Sequence, residues 1–188
     1  MYPYRFGEVR QIGTESVIVI PAVSSENRNY LPGDIIPPGT IISNRNFGIF
    51  NGDIFTFSVI VSRLHWVWID TVCGKLEMRF NYSNTLGWNT FPIPKLTEKN
   101  NADLKQCALD ILLAREAHFP ATIADLYDPE TMPANLREAH ERNDEVLERI
   151  YIGRRFRNDT ERLEKLFELY TKMTSKSSSN KNKVGTMV

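Results

Sequence analysis

The chain has 188 residues and a mass of 21.7 kDa, enough for one ordinary domain or two small ones with a real core. Apolar residues make up 41% and charged residues 24%, which excludes a disordered or fibrous protein. Lys+Arg and Asp+Glu number 23 each, and that neutrality excludes a generic polybasic nucleic-acid binder.

Two cysteines, Cys73 and Cys107, are too few for a disulfide framework or a thiolate metal cluster, and they fit a reducing, cytoplasmic compartment. No run of about 18 apolar residues is present, so neither a membrane span nor a membrane partner is expected. The opening MYPYRFGEVR lacks the apolar stretch of a secretory signal. Charge is uneven along the chain. Residues 1–95 carry eight basic and seven acidic groups, residues 96–174 carry 12 and 16, and the last 14 residues add three Lys and no acid. The change falls beside Pro92-Ile93-Pro94 and marks a boundary near residue 95.

In chain order, Ser16-Val17-Ile18-Val19-Ile20 is a β-branched run stopped by Pro21, the pattern of a buried strand. Leu31-Pro32-Gly33-Asp34 and Pro37-Pro38-Gly39 are turn chemistry, and they lead into short strands at Thr40–Ser43 and Phe47–Phe50. Asp53 caps a helix expected to run to about Thr71. Its apolar residues surround it almost fully, so it should be buried. Gly74 stops it, and Lys75–Tyr82 alternates as an exposed strand. Three helical stripes follow: Leu104/Ala108/Ile111/Leu112, then Leu136 to Ile150 opened by Pro133, then Leu163/Leu166/Phe167/Tyr170/Met173. Asn158 with Glu161 has the spacing of a capping box. From Ser175 to Val188 the sequence is polar and low in complexity, and a disordered tail is expected. The fold class that results is α+β: a small mixed subdomain with a buried helix over 1–95, then a helical subdomain over 96–174.

Catalytic signatures are missing. There is no Gly-rich phosphate loop, no G-x-S-x-G elbow and no H-E-x-x-H. His65, His118 and His140 are far apart, with no Cys or carboxylate at metal-ligand spacing, so packing roles are expected, and no metal. His65 lies eight residues from Cys73, but both belong to an apolar stretch. Asp125 and Asp128 sit in an Asp-Pro turn and read as structural.

An ordered series of segments carries a resemblance. It begins with Arg5-Phe6-x-Glu8-Val9-Arg10, Pro21-Ala22-Val23-Ser24-Ser25-Glu26-Asn27-Arg28 and Ser62-Arg63-Leu64-His65-Trp66-Val67-Trp68. Val72-Cys73-Gly74-Lys75-Leu76, Asn81-Tyr82-Ser83-Asn84-Thr85-Leu86 and Asn89-Thr90-Phe91-Pro92 continue it. Phe119–Pro129, Met132-Pro133 and Leu166–Tyr170 complete it. From about residue 5 to 174 the chain resembles the carboxy-terminal part of MmeI-like DNA methyltransferases, namely the later part of the target recognition domain and a helical C-terminal domain. The family's AdoMet-binding motif, its N-P-P-[FY] motif and its nuclease residues are absent here. The resemblance therefore implies a fragment with no catalysis of its own, no cofactor in this chain and AdoMet in the parent, which would be a prokaryotic, adenine-specific methyltransferase.

The readout chemistry follows from side chains. Glu77 and Arg79 are two apart, so on an extended segment both would point to one face. Arg pairs bidentately with guanine O6 and N7, and a carboxylate accepts from cytosine N4, each worth about 1–3 kcal/mol of discrimination. The resemblance implies that these two positions determine specificity. The alternative is an exposed ion pair worth about 0–1 kcal/mol. Asn44 and Arg45 form a second base-reading candidate, provided a turn aims both the same way; plain turn chemistry is the alternative. Ser24, Ser25 and Arg28 are candidates for the DNA backbone, against a capped turn, and Ser83 and Asn84 are further ones. With a balance of only +1 in its first 95 residues, the isolated chain should bind duplex DNA weakly and in a salt-sensitive way. Its partners would be double-stranded DNA and an upstream methyltransferase core. The rival reading is an assembly module that docks a protein through the acidic helical part and touches no DNA.

Overall fold

The run Val17-Ile18-Val19-Ile20 forms the middle of a three-stranded antiparallel sheet. A computed structural model describes residues 11–181, with side chains described through residue 175; the Arg5–Arg10 segment and residues 182–188 lie outside the described residues. Strand β1 (Val17–Pro21) is flanked by β3 (Asp34–Ile36) and β4 (Asn46–Phe50). Val17 stands opposite Ile36 on one side and Phe50 on the other. Both faces of β1 are covered, so Val17, Ile18 and Ile20 are all buried. Gly48 lets β4 close onto β1: a Cβ there would fall 2.8 Å from Val17 Cγ1 and 2.7 Å from Ile42 Cδ1.

The second sheet has the order β2 (Val23–Ser24), β6 (Arg79–Asn81), β5 (Lys75–Leu76). One residue joins the two sheets. Ala22 donates its N–H to the Arg45 carbonyl (3.0 Å) and accepts from the Tyr82 N–H (2.8 Å). The chain therefore leaves one ladder and enters the next without an unpaired backbone group.

The structure departs from the sequence reading in this half. Thr40–Ser43 is not a strand; the Gln11 side chain takes two of its backbone groups instead, with Gln11 Nε2 donating to Thr40 O and Ile42 N donating to Gln11 Oε1. The strand lies earlier, at Asp34–Ile36. The single helix expected from Asp53 to Thr71 is two, α1 (Ile54–Ile60) and α2 (Arg63–Val72). Ser62 breaks it with extended backbone, accepting from His65 N (3.2 Å) and donating to Val59 O (2.6 Å). Its hydroxyl replaces the bonds an unbroken helix would have made. Asp53 caps α1 through Thr56 N, as the sequence indicates.

The helical part comprises α3 (Glu98–Glu116), α4 (Ile123–Leu126), α5 (Ala134–Ile152) and α6 (Asp159–Lys181). Pro133 is the N-cap residue of α5, and Gly153 ends it with φ +78°. Asn158 Oδ1 accepts from Glu161 N (2.9 Å), but the Glu161 carboxylate bonds Arg157 N and Arg154 rather than Asn158 N, so only half of a capping box forms. Helix α6 continues past Ser175 to Lys181, where the sequence suggested a tail without structure.

The α3 and α5 stripes are buried as their spacing indicates, with Leu104, Ile111 and Leu136 at 0% exposure. The third stripe is only partly covered: Leu166 is buried, while Phe167 and Met173 remain about 40% exposed at 42% and 39%. The architecture is α+β, and its two halves share one core. Ile18, Phe57, Leu64, Leu104, Leu136 and Leu166 belong to the same cluster. Trp68 of α2 packs on Phe167 and Tyr170 of α6 at ring distances of 5.1 and 5.8 Å.

Candidate nucleic-acid interface

Strands β5 and β6 are two arms of a tight hairpin, and Glu77-Met78 is its tip. The exposed strand expected over Lys75–Tyr82 therefore folds back on itself, with Leu76 opposite Arg79. Glu77 adopts φ +59°, a conformation that suits glycine at the first position of a two-residue turn. Alternation along an extended strand consequently does not bring Glu77 and Arg79 to one face; the turn does. Arg79 Nη2 meets Glu77 Oε2 at 3.2 Å, and the two side chains are 57% and 75% exposed. The acid and the guanidinium stand together in solvent as an exposed ion pair. Leu76 and Met78 are exposed beside them.

On β6, exposure alternates: Arg79 and Asn81 are open, and Phe80 between them is fully buried under Trp66. Asn81 thus presents an amide on the same side as Arg79. Period-two alternation around Phe80 was the signal for it, and the sequence reading did not use it.

Asn44 and Arg45 do form a turn. Asn46 N bonds Ser43 O (3.1 Å), and Ser43 Oγ accepts from Arg45 N and Asn46 Nδ2. Both candidate side chains are exposed. The turn is tied to Ala22 through the Arg45 carbonyl, and Ala22 also binds Tyr82, next to Ser83 and Asn84. One end of the second sheet therefore gathers the Asn44-Arg45 turn and the Ser83-Asn84 segment. The other end carries the hairpin tip and, beyond Ser24, the Ser25–Arg28 loop. Ala22 to Ser25 spans about 10 Å at ~3.3 Å per residue, roughly three base steps of a duplex strand at ~3.4 Å each.

The backbone candidates divide. Ser24 is buried at 3% exposure in strand β2, so it does not offer a phosphate contact; its hydroxyl accepts from Arg28 Nη1 at 3.4 Å and holds that side chain. Ser25 accepts from Asn27 N and Arg28 N within a turn. Asn84 is exposed, whereas Ser83 Oγ is engaged by Leu86 N at 3.3 Å as the cap of a short π-helix, Asn84–Trp88. Tyr82 is core, 2% exposed.

Behind this face runs a buried polar seam that the sequence reading missed. Arg115 of α3 is 7% exposed and donates to Gly33 O and to the Tyr127 hydroxyl, both at 2.8 Å. Tyr127 bonds His140 Nε2 at 2.7 Å, and His140 stacks on Tyr30 at 4.2 Å. The Tyr30 hydroxyl bonds Asp144, which accepts from Arg63 N at 2.7 Å. Glu148, fully buried, binds Arg162 and Phe156 N. The legible signal was position: Arg115 follows Leu104, Ala108 and Ile111 on one apolar stripe, and His140, Asp144 and Glu148 share the α5 stripe with Leu136.

The histidines are packing residues. His65 is fully buried against Tyr82 (Nε2 to hydroxyl, 3.2 Å), and burial pulls its pKa down to about 3. Burial also holds His140 well below the ordinary value, with the Arg115 charge adding to the effect. His118 meets Asn135 on the surface. Asp125 completes a capping box with Thr122, and Asp128 accepts from Glu130 N. Burial raises the thiols of Cys73 and Cys107, both free. Among the described residues, no cluster of three His, Cys, Asp or Glu side chains could hold a metal, and no helix is long and apolar enough to cross a membrane.

A small α+β body that displays charged and amide side chains on one sheet, fused through a common core to a helical domain, has the form of a recognition module. Residues 1–95 match the family model for the MmeI target recognition domain, and residues 96–177 match that for the MmeI C-terminal domain. The chain belongs to the MmeI family. It is 40% identical over 174 residues to DNA methyltransferase A of Bacillus subtilis (strain 168), covering 93% of this chain and 20% of that protein. The structure of the Type IIL restriction-modification enzyme MmeI in complex with DNA superposes with a TM-score of 0.82 at 36% identity, over 85% of this chain and 21% of that one. The chain thus spans about one fifth of the length of each relative.

Proposed function

We propose that this chain reads DNA sequence for a restriction–modification methyltransferase that modifies adenine N6. The observation that carries the reading is Glu77, held at φ +59° on an exposed tip with its carboxylate 3.2 Å from Arg79. A bulky residue in left-handed backbone costs about 1–2 kcal/mol, and such strain accumulates where function needs the side chain. An acid and an Arg side by side match the donor of cytosine and the acceptors of guanine within one base pair. Arg45, Asn44 and Asn81 supply further groups of the base-reading type, and Arg28 with Asn84 supplies groups for the backbone.

The methyl donor belongs elsewhere in such an enzyme. Two surface clefts, about 470 and 540 Å³, are bordered by Asp34, Arg115 and Glu116 in one and by Arg28, Asp128 and Glu130 in the other. Neither of these two offers the Gly-rich turn that AdoMet sites use, and no methyl-transfer step is assigned to their residues.

The test is charge exchange, Glu77→Lys with Arg79→Asp, in a polypeptide that also carries the methyltransferase core. A changed methylation sequence supports base reading. Unchanged specificity with lost assembly supports the rival docking role, which the exposed Leu113 and Phe119 (60% and 87%) favour.

A further inference from the structure

The loop between α5 and α6 reads Arg154-Arg155-Phe156-Arg157, three arginines in four residues within a segment, 96–174, that is otherwise acidic. It is a rigid loop. Phe156 is buried at 6%, its N–H donates to Glu148 Oε2 at 3.0 Å, and Gly153 turns the chain into it with φ +78°. Arg154 is spent on Glu161. Arg155 and Arg157 are not spent in this way. Arg155 reaches Glu148 only at 3.8 Å, and that carboxylate already holds Arg162 and Phe156 N. Arg157 makes no ion pair among the described residues and is exposed.

The loop's position adds a second observation. Asp159, two residues beyond Arg157, takes Arg63 Nη2 at 2.7 Å, and Arg63 Nη1 donates to the carbonyl of Asn29 at 3.2 Å. Asn29 directly follows Arg28. Two residues of chain reach at most about 7 Å, so the arginine loop is linked to the Ser25–Arg28 loop of the other half through the Arg63 side chain, which spans Asp159 and Asn29. Arginine forks suit phosphate oxygens bidentately, and the buried Phe156 anchor fixes the loop backbone that carries them, so the backbone has little freedom to lose on binding.

We infer that Arg155 and Arg157 form a second contact with the sugar-phosphate backbone of duplex DNA, continuous with the one around Arg28. The inference rests on the DNA-reading function proposed above. It gives the C-terminal domain, despite its net acidity, a direct grip on nucleic acid.

The experiment measures binding of the 188-residue chain to a fluorescent duplex of arbitrary sequence across a range of salt concentrations. The test variant is Arg155→Gln/Arg157→Gln; the control is Lys165→Gln/Lys172→Gln, which removes equal charge from ammonium groups that Glu168 already pairs on α6. Each phosphate contact contributes about 0.9 to the slope of log K against log salt, so the arginine variant is expected to flatten that slope by about 1–2 while the lysine variant leaves it unchanged. Unchanged thermal melting shows that the loop still folds. A wild-type slope in the arginine variant, or equal flattening in both, overturns the inference and leaves the DNA-reading function standing. No duplex binding by the wild-type chain even at low salt overturns both.

Discussion

Asp144 of α5 accepts a hydrogen bond from the backbone N–H of Arg63, the first residue of α2, at 2.7 Å and across 81 residues of sequence. The carboxylate caps a helix of the other family domain, and Tyr30 bonds the same group from the connection between β2 and β3. Three segments therefore meet on one fully buried acid. A helix N-terminus welcomes negative charge, yet burial, reinforced by the nearby Glu148, raises the Asp144 pKa to about 7.

That shift has a definite sign. A carboxyl whose pKa rises from about 3.9 in the unfolded chain to about 7 on folding contributes stability that is complete below pH ~4 and lost as pH climbs through ~7. Asp144→Asn removes the dependence. Its melting temperature relative to wild type should shift in the variant's favour between pH 4 and pH 8, measured by circular dichroism. A constant difference across that range would show that the group is not titrating there. The lowered pKa of His65 acts in the opposite direction: stability falls as pH drops from about 6.5 through about 3, and Asp144→Asn should leave that acid limb steeper.

Arg115 joins the halves at the other end of the seam. Arg115→Met leaves the carbonyl of Gly33 and the carboxylate of Asp34 without their guanidinium. Asp34 is partly solvated, so the cost falls on the buried Gly33 carbonyl left without its donor, about 1–3 kcal/mol, and at ~2–4 °C per kcal/mol for a chain of this size the melting temperature should fall by roughly 5 °C. A loss of only a degree or two would mean that Arg115 is not the joint described here.

Glu77 separates stability from recognition. Glu77→Gly relieves the left-handed backbone, and allowing for the entropy glycine brings, stability should hold or rise by up to about 1 kcal/mol. Specificity at the base pair that Glu77 is proposed to read should relax at the same time. Glu77→Ala loses the carboxylate while keeping the strain, so it should relax specificity without gaining stability. Chemical denaturation, paired with sequencing of methylated sites in an enzyme carrying both parts, checks each arm.

Arg28 and Ser24 should behave as an ion and its holder. Arg28→Gln is expected to weaken duplex binding equally for all sequences and to flatten the salt slope by about 1. Ser24→Ala, which frees the Arg28 side chain, should produce a smaller loss of the same kind. A sequence-dependent loss in either variant would place Arg28 on a base edge instead.

Local pattern made several elements legible. The β-branched run of β1, the cap Asp53, the stripes of α3 and α5 and the stop before Gly74 each depend on neighbours a few residues away, and sequence spacing records such neighbours directly. The same spacing misled where a distant or local side chain replaced the expected backbone partner. Gln11 satisfied the would-be strand at Thr40–Ser43, and Ser62 divided one expected helix into two. In the candidate interface, residue types pointed to Glu77, Arg79, Asn44 and Arg45, but alternation on an extended strand was the wrong reason for the first pair.

By itself, the sequence determined the chemistry on offer: a neutral chain, lacking catalytic motifs, with Arg, Asn and Glu side chains clustered in short polar turns, and an ordered set of segments shared with MmeI-like enzymes. Only the tertiary structure decided which of those groups face solvent together. Ser24 is removed from contact by its place in β2, Asn81 is added by the burial of Phe80, and the start of α6 is tied to Asn29 through Arg63 and Asp159. The physical reason is that a charged or amide side chain looks the same in sequence whether it is solvated, paired or buried. Its environment is set by partners 80 or more residues away, as Arg63 is from Asp144 and from Asp159.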